Sequence, residues 1–418
     1  MIERGVSLRS SASPSCRNCG RGLDLSERLC QECRATPTFE YKDGPLVVEG
    51  AVGIDRYEHL LPLVFDDDRP PIDLPAGGTP LLTVPGDTGG VRVWVKDETR
   101  NGTGSHKDRQ LAISMRHARA AGHKTSLIVS AGSTGLSHAA YAARCGINSI
   151  VLMSGTHPAF RSAPLQMYGS SVIQVDEQID ELIDHVEAVA QQLDLYHTTT
   201  GIQYNSYQAQ GPTSIAYEIY EQLGRAPAAI IVAVGGGGTL RGIYDGFEIL
   251  RQRGLVERTP KMVGVVPHLW NSLQVAFEGG VTDQADVPFI DPGPASGDAI
   301  LSKLAHAKPP DAESALFAIR ASGGTVLSVT DEDSLDSTRW LGERAGVLVE
   351  PASGSAVAGL RSYLPQLEPD DDIVLVATGS GYRELSLLAD VTDPAPDAIA
   401  KDRLVEAIER INDEGSAQ

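Results

Sequence analysis

No segment of the sequence reaches 18 consecutive apolar residues, which excludes a hydrophobic membrane-spanning helix. The opening stretch, Met1 to Ser13, carries Arg4 and Arg9 but no apolar run, so it does not read as a secretory signal. The cytosol is therefore the expected compartment. Basic residues are in deficit: 35 Lys and Arg stand against 55 Asp and Glu, a formal net charge of −20. That balance argues against non-specific binding to nucleic acid or to an anionic membrane. An anion site must then be assembled locally, from Lys, Arg and backbone N–H groups working against an unfavourable overall field. Internal repeats, heptad arrays and low-complexity tracts are absent. So are H-E-x-x-H, G-x-G-x-x-G and the Walker A loop, which leaves zincin, dinucleotide and P-loop chemistry without support.

Aromatic residues are scarce at 5%, whereas glycine is abundant at 43. Many of the glycines follow apolar runs, as in α/β architectures whose tight turns approach a ligand. At 418 residues the chain exceeds one simple core. Residues 1–15 read as a disordered leader, 16–36 as a small cysteine module and 37–76 as a connector. A main body spans 77–390, and 391–418 reads as a helix and tail. The acidic, Pro-rich run DDDRPPIDLP (66–75) supports the connector. Within the body, strands are expected at 91–96, 126–130, 149–154, 171–175, 228–235, 262–266 and 372–378. Helices are expected at 107–122, 135–146, 163–169, 178–193, 214–224 and 398–411. Strands alternating with helix-length connections predict a parallel sheet with helices on both faces.

Four strand ends carry loops fit for chemistry. NGTGSHKDR (101–109) lies between a strand and a helix, with Ser105 as the expected N-cap and Lys107 in the first turn. Partial burial or a helix N-terminus disfavours the charge on such a lysine, the condition Schiff-base chemistry requires. His106 is the one histidine placed as a site candidate. Gly235, Gly236, Gly237 and Gly238, then Thr239, follow a buried strand, where a glycine run suits backbone N–H groups closing round an anion. SAGSTG (130–135) and TGSG (378–381) also follow strands. The first suits a carboxylate or phosphate. Cys16, Cys19, Cys30 and Cys33 form two C-x2-C knuckles, the spacing of a closed tetrahedral zinc site. Cys145, on an Ala-rich segment, reads as a small core residue, and His138 as helix surface or core.

From about Gly77 to Asp390 these motifs resemble fold-type II pyridoxal phosphate enzymes, and within them threonine synthase and its paralogues. The resemblance rests on GGTPL (77–81), VKDETRNGTGSHKDR (95–109), the four-glycine loop, EPASGSAVAGL (350–360) and VATGSG (376–381). It implies an α/β fold of the tryptophan synthase β type, two lobes with the cofactor between them, plus a zinc-ribbon-like N-terminal module. Lys107 would be the Schiff-base lysine and later the general base and acid. Gly235 to Gly238 with Thr239 would hold the cofactor phosphate, and Thr378 would face the pyridine nitrogen. His106 and Ser133 would also lie at the cofactor, Ser133 replacing an Asn that in relatives faces the ring hydroxyl. Ser105, Ser130, Gly132 and Thr134 would bind substrate, with Lys96 and Arg109 receiving an anionic leaving group. The implied reaction converts O-phospho-L-homoserine and water to L-threonine and phosphate. Departures at Gln208, Gln210 and Thr213, where relatives carry Arg, Glu and Lys, favour β-replacement or β-elimination on O-phosphoserine, threonine or 2,3-diaminopropionate. A ligand sensor or scaffold keeping only the fold would have no use for Lys107 or the glycine loop. The expected partner is a small amino acid, and the expected assembly a symmetric dimer.

Overall fold

The computed structural model describes residues 8–66, 72–86, 89–130, 132–155, 159–177, 179–293, 299–390, 392 and 398–415. The chain opens with β1 (Leu8–Arg9), β2 (Ala12–Cys16), β3 (Pro37–Tyr41) and β4 (Phe65–Asp66). β2 and β3 pair antiparallel with Cys16 opposite Pro37, and β1 pairs antiparallel with β4. Ordered structure therefore begins by Leu8 rather than after residue 15. Residues 1–7, and Asp67 and Asp68 of the acidic triplet, lie outside the described residues.

The stretch expected to be a connector is instead packed. A 3-10 segment, Gly53–Leu60, buries Ile54, Tyr57 and Leu60, and Leu61, Leu63 and Val64 follow them inward. Tyr57 lies 5.4 Å from the ring of Tyr217, and the Tyr217 hydroxyl donates to the Leu60 carbonyl at 3.2 Å. An apolar run without a helical or strand period still buries when a neighbouring helix offers it a face.

The body then runs β5 (Leu81–Thr83), β6 (Arg92–Asp97), α1 (Lys107–Ala120), β7 (Thr125–Val129), α2 (Ser133–Cys145) and β8 (Asn148–Ser154). Next come α3 (Ala159–Met167), β9 (Ser171–Val175), α4 (Ile179–Gln192), β10 (Tyr196–His197), α5 (Ser206–Ala209) and α6 (Thr213–Leu223). β11 (Ala229–Ala233), α7 (Gly238–Gln252), β12 (Lys261–Pro267), α8 (Ser272–Glu278) and α9 (Ala312–Ala321) lead to β13 (Thr325–Val329). α10 (Asp331–Ala345), α11 (Pro351–Tyr363) and β14 (Asp372–Ala377) complete it.

Two sheets result. One has the order β10-β7-β8-β9 and is wholly parallel. The other has the order β13-β12-β11-β14-β6-β5, parallel except for β5 at its edge. Every residue of β11 and β14 is buried, as expected for central strands covered on both faces. Gly359 lets α11 lie close against the larger sheet, where a Cβ would come within 2.5 Å of Val265, and Gly354 turns to α10, where a Cβ would meet Thr338 and the Ser334 carbonyl. β5 and β10 have too few residues to show a period, and β13, whose burial does not alternate, also lies outside the expected strands. The chain divides after Arg383, a few residues before the expected boundary. The second unit, Glu384–Gln418, holds α12 (Leu385–Asp390) and α13 (Leu404–Gly415). α13 begins later than the expected 398.

Candidate active site

Adjacent parallel strands deliver their C-terminal loops to one place, and β6 and β14 are adjacent. The loop before Lys107 is therefore stitched to the loop after β14. Ser105 bridges Gly379, Ser380 N–H donates to the Gly104 carbonyl at 2.9 Å, and His106 N–H donates to the Thr378 carbonyl at 2.9 Å. His106 adds two side-chain links: Nδ1 lies 3.0 Å from the Thr378 carbonyl oxygen and Nε2 lies 3.1 Å from Thr239 Oγ1. A carbonyl only accepts, so Nδ1 carries the proton and Nε2 receives the Thr239 hydroxyl. The ring is thus neutral, and burial beside Lys107 pushes its pKa down to about 3. Ser105 is not the N-cap. Helix α1 starts from His106, and the fully buried Ser105 hydroxyl has no partner among the described residues.

Lys107 is the first residue of α1 and is partly buried. Burial pushes its pKa down to about 8, opposed by the charges of Asp311 and Glu350. Neither carboxylate is among the site residues the sequence predicts. Asp311 accepts from Ile202 N–H at 3.0 Å, and Glu350 pairs with Lys303 at 2.7 Å. Glu350 lies in the EPASGS motif and was legible there; Asp311 carries no local signal.

Between β11 and α7, no carbonyl outside the helix accepts from the N–H groups of Gly235 to Leu240 among the described residues. Gly237 takes φ +103°, and a Cβ there would come within 2.8 Å of the Asp311 carbonyl oxygen. At Gly238 a Cβ would come within 2.7 Å of Asp311 Oδ2. Consecutive unsatisfied N–H groups at the N-terminus of a 15-residue helix suit a phosphate. In the SAGSTG loop, Ser130 Oγ accepts from Gly132 and Gly135 N–H at 3.2 and 3.0 Å, shaping the first turn of α2. Ser133 and Thr134 stand partly exposed in that turn, and Ala131 lies outside the described residues. Thr378 Oγ1 lies 2.8 Å from Ser353 Oγ.

Lys96 and Arg109 are placed differently from expectation. Both are fully buried. Lys96 Nζ donates to Glu218 and the Thr79 carbonyl at 2.6 Å each and to Gln222 at 3.0 Å. Arg109 makes two 2.7 Å bonds to Glu98 and two to Glu218, and also reaches Ser214 and Thr79. Burial alone would raise the Glu218 carboxyl, but Arg109 and Lys96 hold it well below the usual range. Their donors are consumed in this buried network, which leaves neither cation an N–H free for a leaving group. Gln208 spends its amide on the Thr198 carbonyl at 2.9 Å, and Gln210 accepts from the Tyr41 hydroxyl at 3.1 Å. Thr213 Oγ1 donates to the Gln210 carbonyl at 2.7 Å.

A family model described as pyridoxal-phosphate dependent enzyme matches residues 72–379. The chain belongs to the pyridoxal-phosphate dependent enzymes. It is 32% identical to a threonine synthase of Methanocaldococcus jannaschii over 385 residues, 88% of this chain and 92% of the relative. A threonine synthase of Methanosarcina acetivorans is 31% identical over 90% of this chain and 94% of its own length. Among solved structures, threonine deaminase isoform 2 from Solanum lycopersicum superposes with a TM-score of 0.61 at 19% identity, covering 76% of this chain and 88% of that one. A fungal L-serine ammonia-lyase from Rhizomucor miehei also gives 0.61, at 23% identity over 75% of this chain and 96% of that one. The enzyme has the fold-type II architecture and is related to threonine synthase and its paralogues. The unsatisfied N–H groups of the glycine loop fit the phosphate of the family's cofactor.

The four cysteines come together near the N-terminus, all Sγ atoms lying within 4.8 Å of one another. Sγ of Cys16 and Cys33 are 3.3 Å apart, those of Cys19 and Cys30 3.8 Å. Thiolates bound tetrahedrally at ~2.3 Å stand roughly 3.8 Å apart, so the cluster fits one metal ion. The Cys33 backbone N–H, with Arg21 and others, brings the Cys30 thiol down to about 6. Cys145, partly buried, donates to the Met115 carbonyl at 3.6 Å, and burial raises its thiol to about 11, in keeping with a packing role. No helix among the described residues is long and apolar enough to cross a membrane.

Three buried histidines give a pH prediction. His106, His117 and His138 each fall from 6.5 to about 3, first through burial. His117 stacks on Tyr207 at 3.8 Å, and His138 bonds Thr198 Oγ1 at 2.7 Å. Between those values the unfolded chain binds protons that the folded chain refuses. The stability they confer is full above 6.5 and is lost as pH falls toward 3. At pH 5.5 the cost is about 1.4 kcal/mol per histidine. Thermal melts should show a midpoint falling steadily below pH 6.5; a flat profile from 7 to 5 would contradict the buried neutral assignment.

Proposed function

We propose that this enzyme converts O-phospho-L-homoserine and water to L-threonine and phosphate. The observation that carries the reading is similarity to relatives named threonine synthase across most of both chains. Bound pyridoxal phosphate supplies an electrophilic aldehyde and an electron sink for charge developing beside the substrate's α-carbon. The chain supplies the rest. The N–H groups of Gly235 to Gly238, with Thr239, would hold the phosphate. Lys107, with its lowered-pKa amine, would hold the aldehyde, and the same amine would take and return a proton at the substrate's carbon atoms. Neutral His106 fixes the loop carrying Lys107 without adding a positive charge beside it. Thr378 would face the ring nitrogen with a neutral hydroxyl, and Ser133 would lie at the ring hydroxyl. Ser105, Ser130, Gly132 and Thr134 would line the substrate side.

A second reading is β-replacement or β-elimination on O-phosphoserine, threonine or 2,3-diaminopropionate. It is favoured by the loss of Lys96 and Arg109 to the buried network and by uncharged Gln208 and Thr213. Incubation with O-phospho-L-homoserine, measuring phosphate and threonine together, separates them. Equal release of both supports the first reading. A cofactor spectrum that responds to amino acids with no phosphate from this substrate supports the second.

The cysteine cluster is read as a structural zinc site. Metal analysis of purified enzyme should give one zinc per chain, and Cys30→Ser should lower that content and the melting midpoint. Full-length enzyme with no bound metal and an unchanged melt after chelation would reject it.

A further inference from the structure

With Lys96 and Arg109 consumed, the question is which cation is available to a substrate anion. Lys303 is paired with Glu350, and Arg241 with Asp245. Arg383 differs. It ends a short 3-10 turn, Gly381–Arg383, just after the TGSG loop, and its Nη1 donates to a neutral hydroxyl, Ser133 Oγ, at 2.8 Å. A guanidinium has five N–H donors, and no other protein acceptor among the described residues takes those that remain.

The position of Arg383 is built rather than incidental. Ser380 N–H is held by Gly104, Gly381 N–H by Leu348, and Arg383 N–H by Ser380. The Arg383 stem lies over Gly104, where a Cβ would come within 3.1 Å of its Cδ. The side chain thus spans from the loop that carries Lys107 to the first turn of α2. Asp108, which feels the charge of Arg383, is already occupied by Thr103 through its backbone N–H at 2.7 Å and its hydroxyl at 2.5 Å. Arg383 is partly exposed, at the carboxyl end of β14.

We propose that Arg383 is a specificity-determining residue that binds an anionic oxygen of the substrate, together with Thr134. This rests on the reading of the site as an amino-acid site of a pyridoxal phosphate enzyme, but not on which reaction follows. An amino acid's carboxylate, or the phosphate of a phosphorylated one, offers the paired oxygens a guanidinium fork matches. A lysine would supply charge without the fork.

The test uses the holoenzyme and its Arg383→Met and Arg383→Lys variants, following the visible cofactor spectrum as ligand is added. The probes are L-threonine, ethanolamine, which lacks the carboxylate, and inorganic phosphate as a competitor. Arg383→Met is expected to weaken L-threonine by about ten- to hundred-fold while ethanolamine is unchanged, with partial recovery in Arg383→Lys. If L-threonine is unchanged and competition by inorganic phosphate is lost, the oxyanion is the substrate's phosphate. An Arg383→Met enzyme with its cofactor band intact and every ligand as in the parent overturns the inference. Failure to turn over O-phospho-L-homoserine, with binding still dependent on Arg383, would reject the reaction reading alone.

Discussion

Lys107→Ala is expected to abolish the covalent attachment of the cofactor and to lower turnover by about ten-thousand-fold or more. The lysine stands at the head of α1, where burial has brought its amine to about 8. Near neutral pH a useful fraction is therefore unprotonated and nucleophilic. Alanine is a strong helix former, so the helix survives and the effect falls on chemistry. Two measurements check this. Borohydride reduction followed by peptide mass analysis should label Lys107 in the parent and nothing in the variant. Turnover should fall without a matching fall in melting midpoint. A variant retaining a reducible cofactor adduct and more than a tenth of parent activity would remove Lys107 from its assigned role.

Glu218→Ala should be the most damaging substitution away from the chemistry. The Glu218 carboxylate is shared by Lys96 and Arg109, all three fully or nearly fully buried. Removing it leaves two buried cations facing Glu98 alone, a loss of about 3–5 kcal/mol. Against a typical domain stability of about 5–15 kcal/mol this threatens folding itself. Denaturant unfolding of the purified variant, or loss of soluble protein, reads the effect. Lys96→Met and Arg109→Met should likewise destabilise. If either gave a stable enzyme whose sole defect was a raised KM for a phosphorylated substrate, the structural assignment of these cations would be wrong.

The contrast between Lys107 and Lys96 shows how far a sequence pattern carries. Both sit in VKDETRNGTGSHKDR, one at a strand's end and one at a helix's start. The pattern places each on its element, but not the neighbours that decide its role. Glu218 lies on α6, more than a hundred residues along the chain, and nothing near it marks it as the partner of Lys96 and Arg109. Arg383 is close to a recognised loop, yet its bond to Ser133 crosses 250 residues. Asp311 is a single acid before a helix until the glycine loop is laid against it.

What the sequence determined by itself was local and periodic: buried parallel strands, the helices between them, and small polar or glycine loops at the strand ends. Apolar runs and glycine positions are properties of consecutive residues, so they survive without a fold. The paired cysteines were also legible, since both knuckles are short and the structure closes them into one cluster. The order of the strands, the packing of residues 53–64 and the choice of which cation is buried and which is available belong to the tertiary structure alone. Charges acquire their roles from burial and from partners brought together by folding, and the energy of a buried ion depends on every neighbour at once.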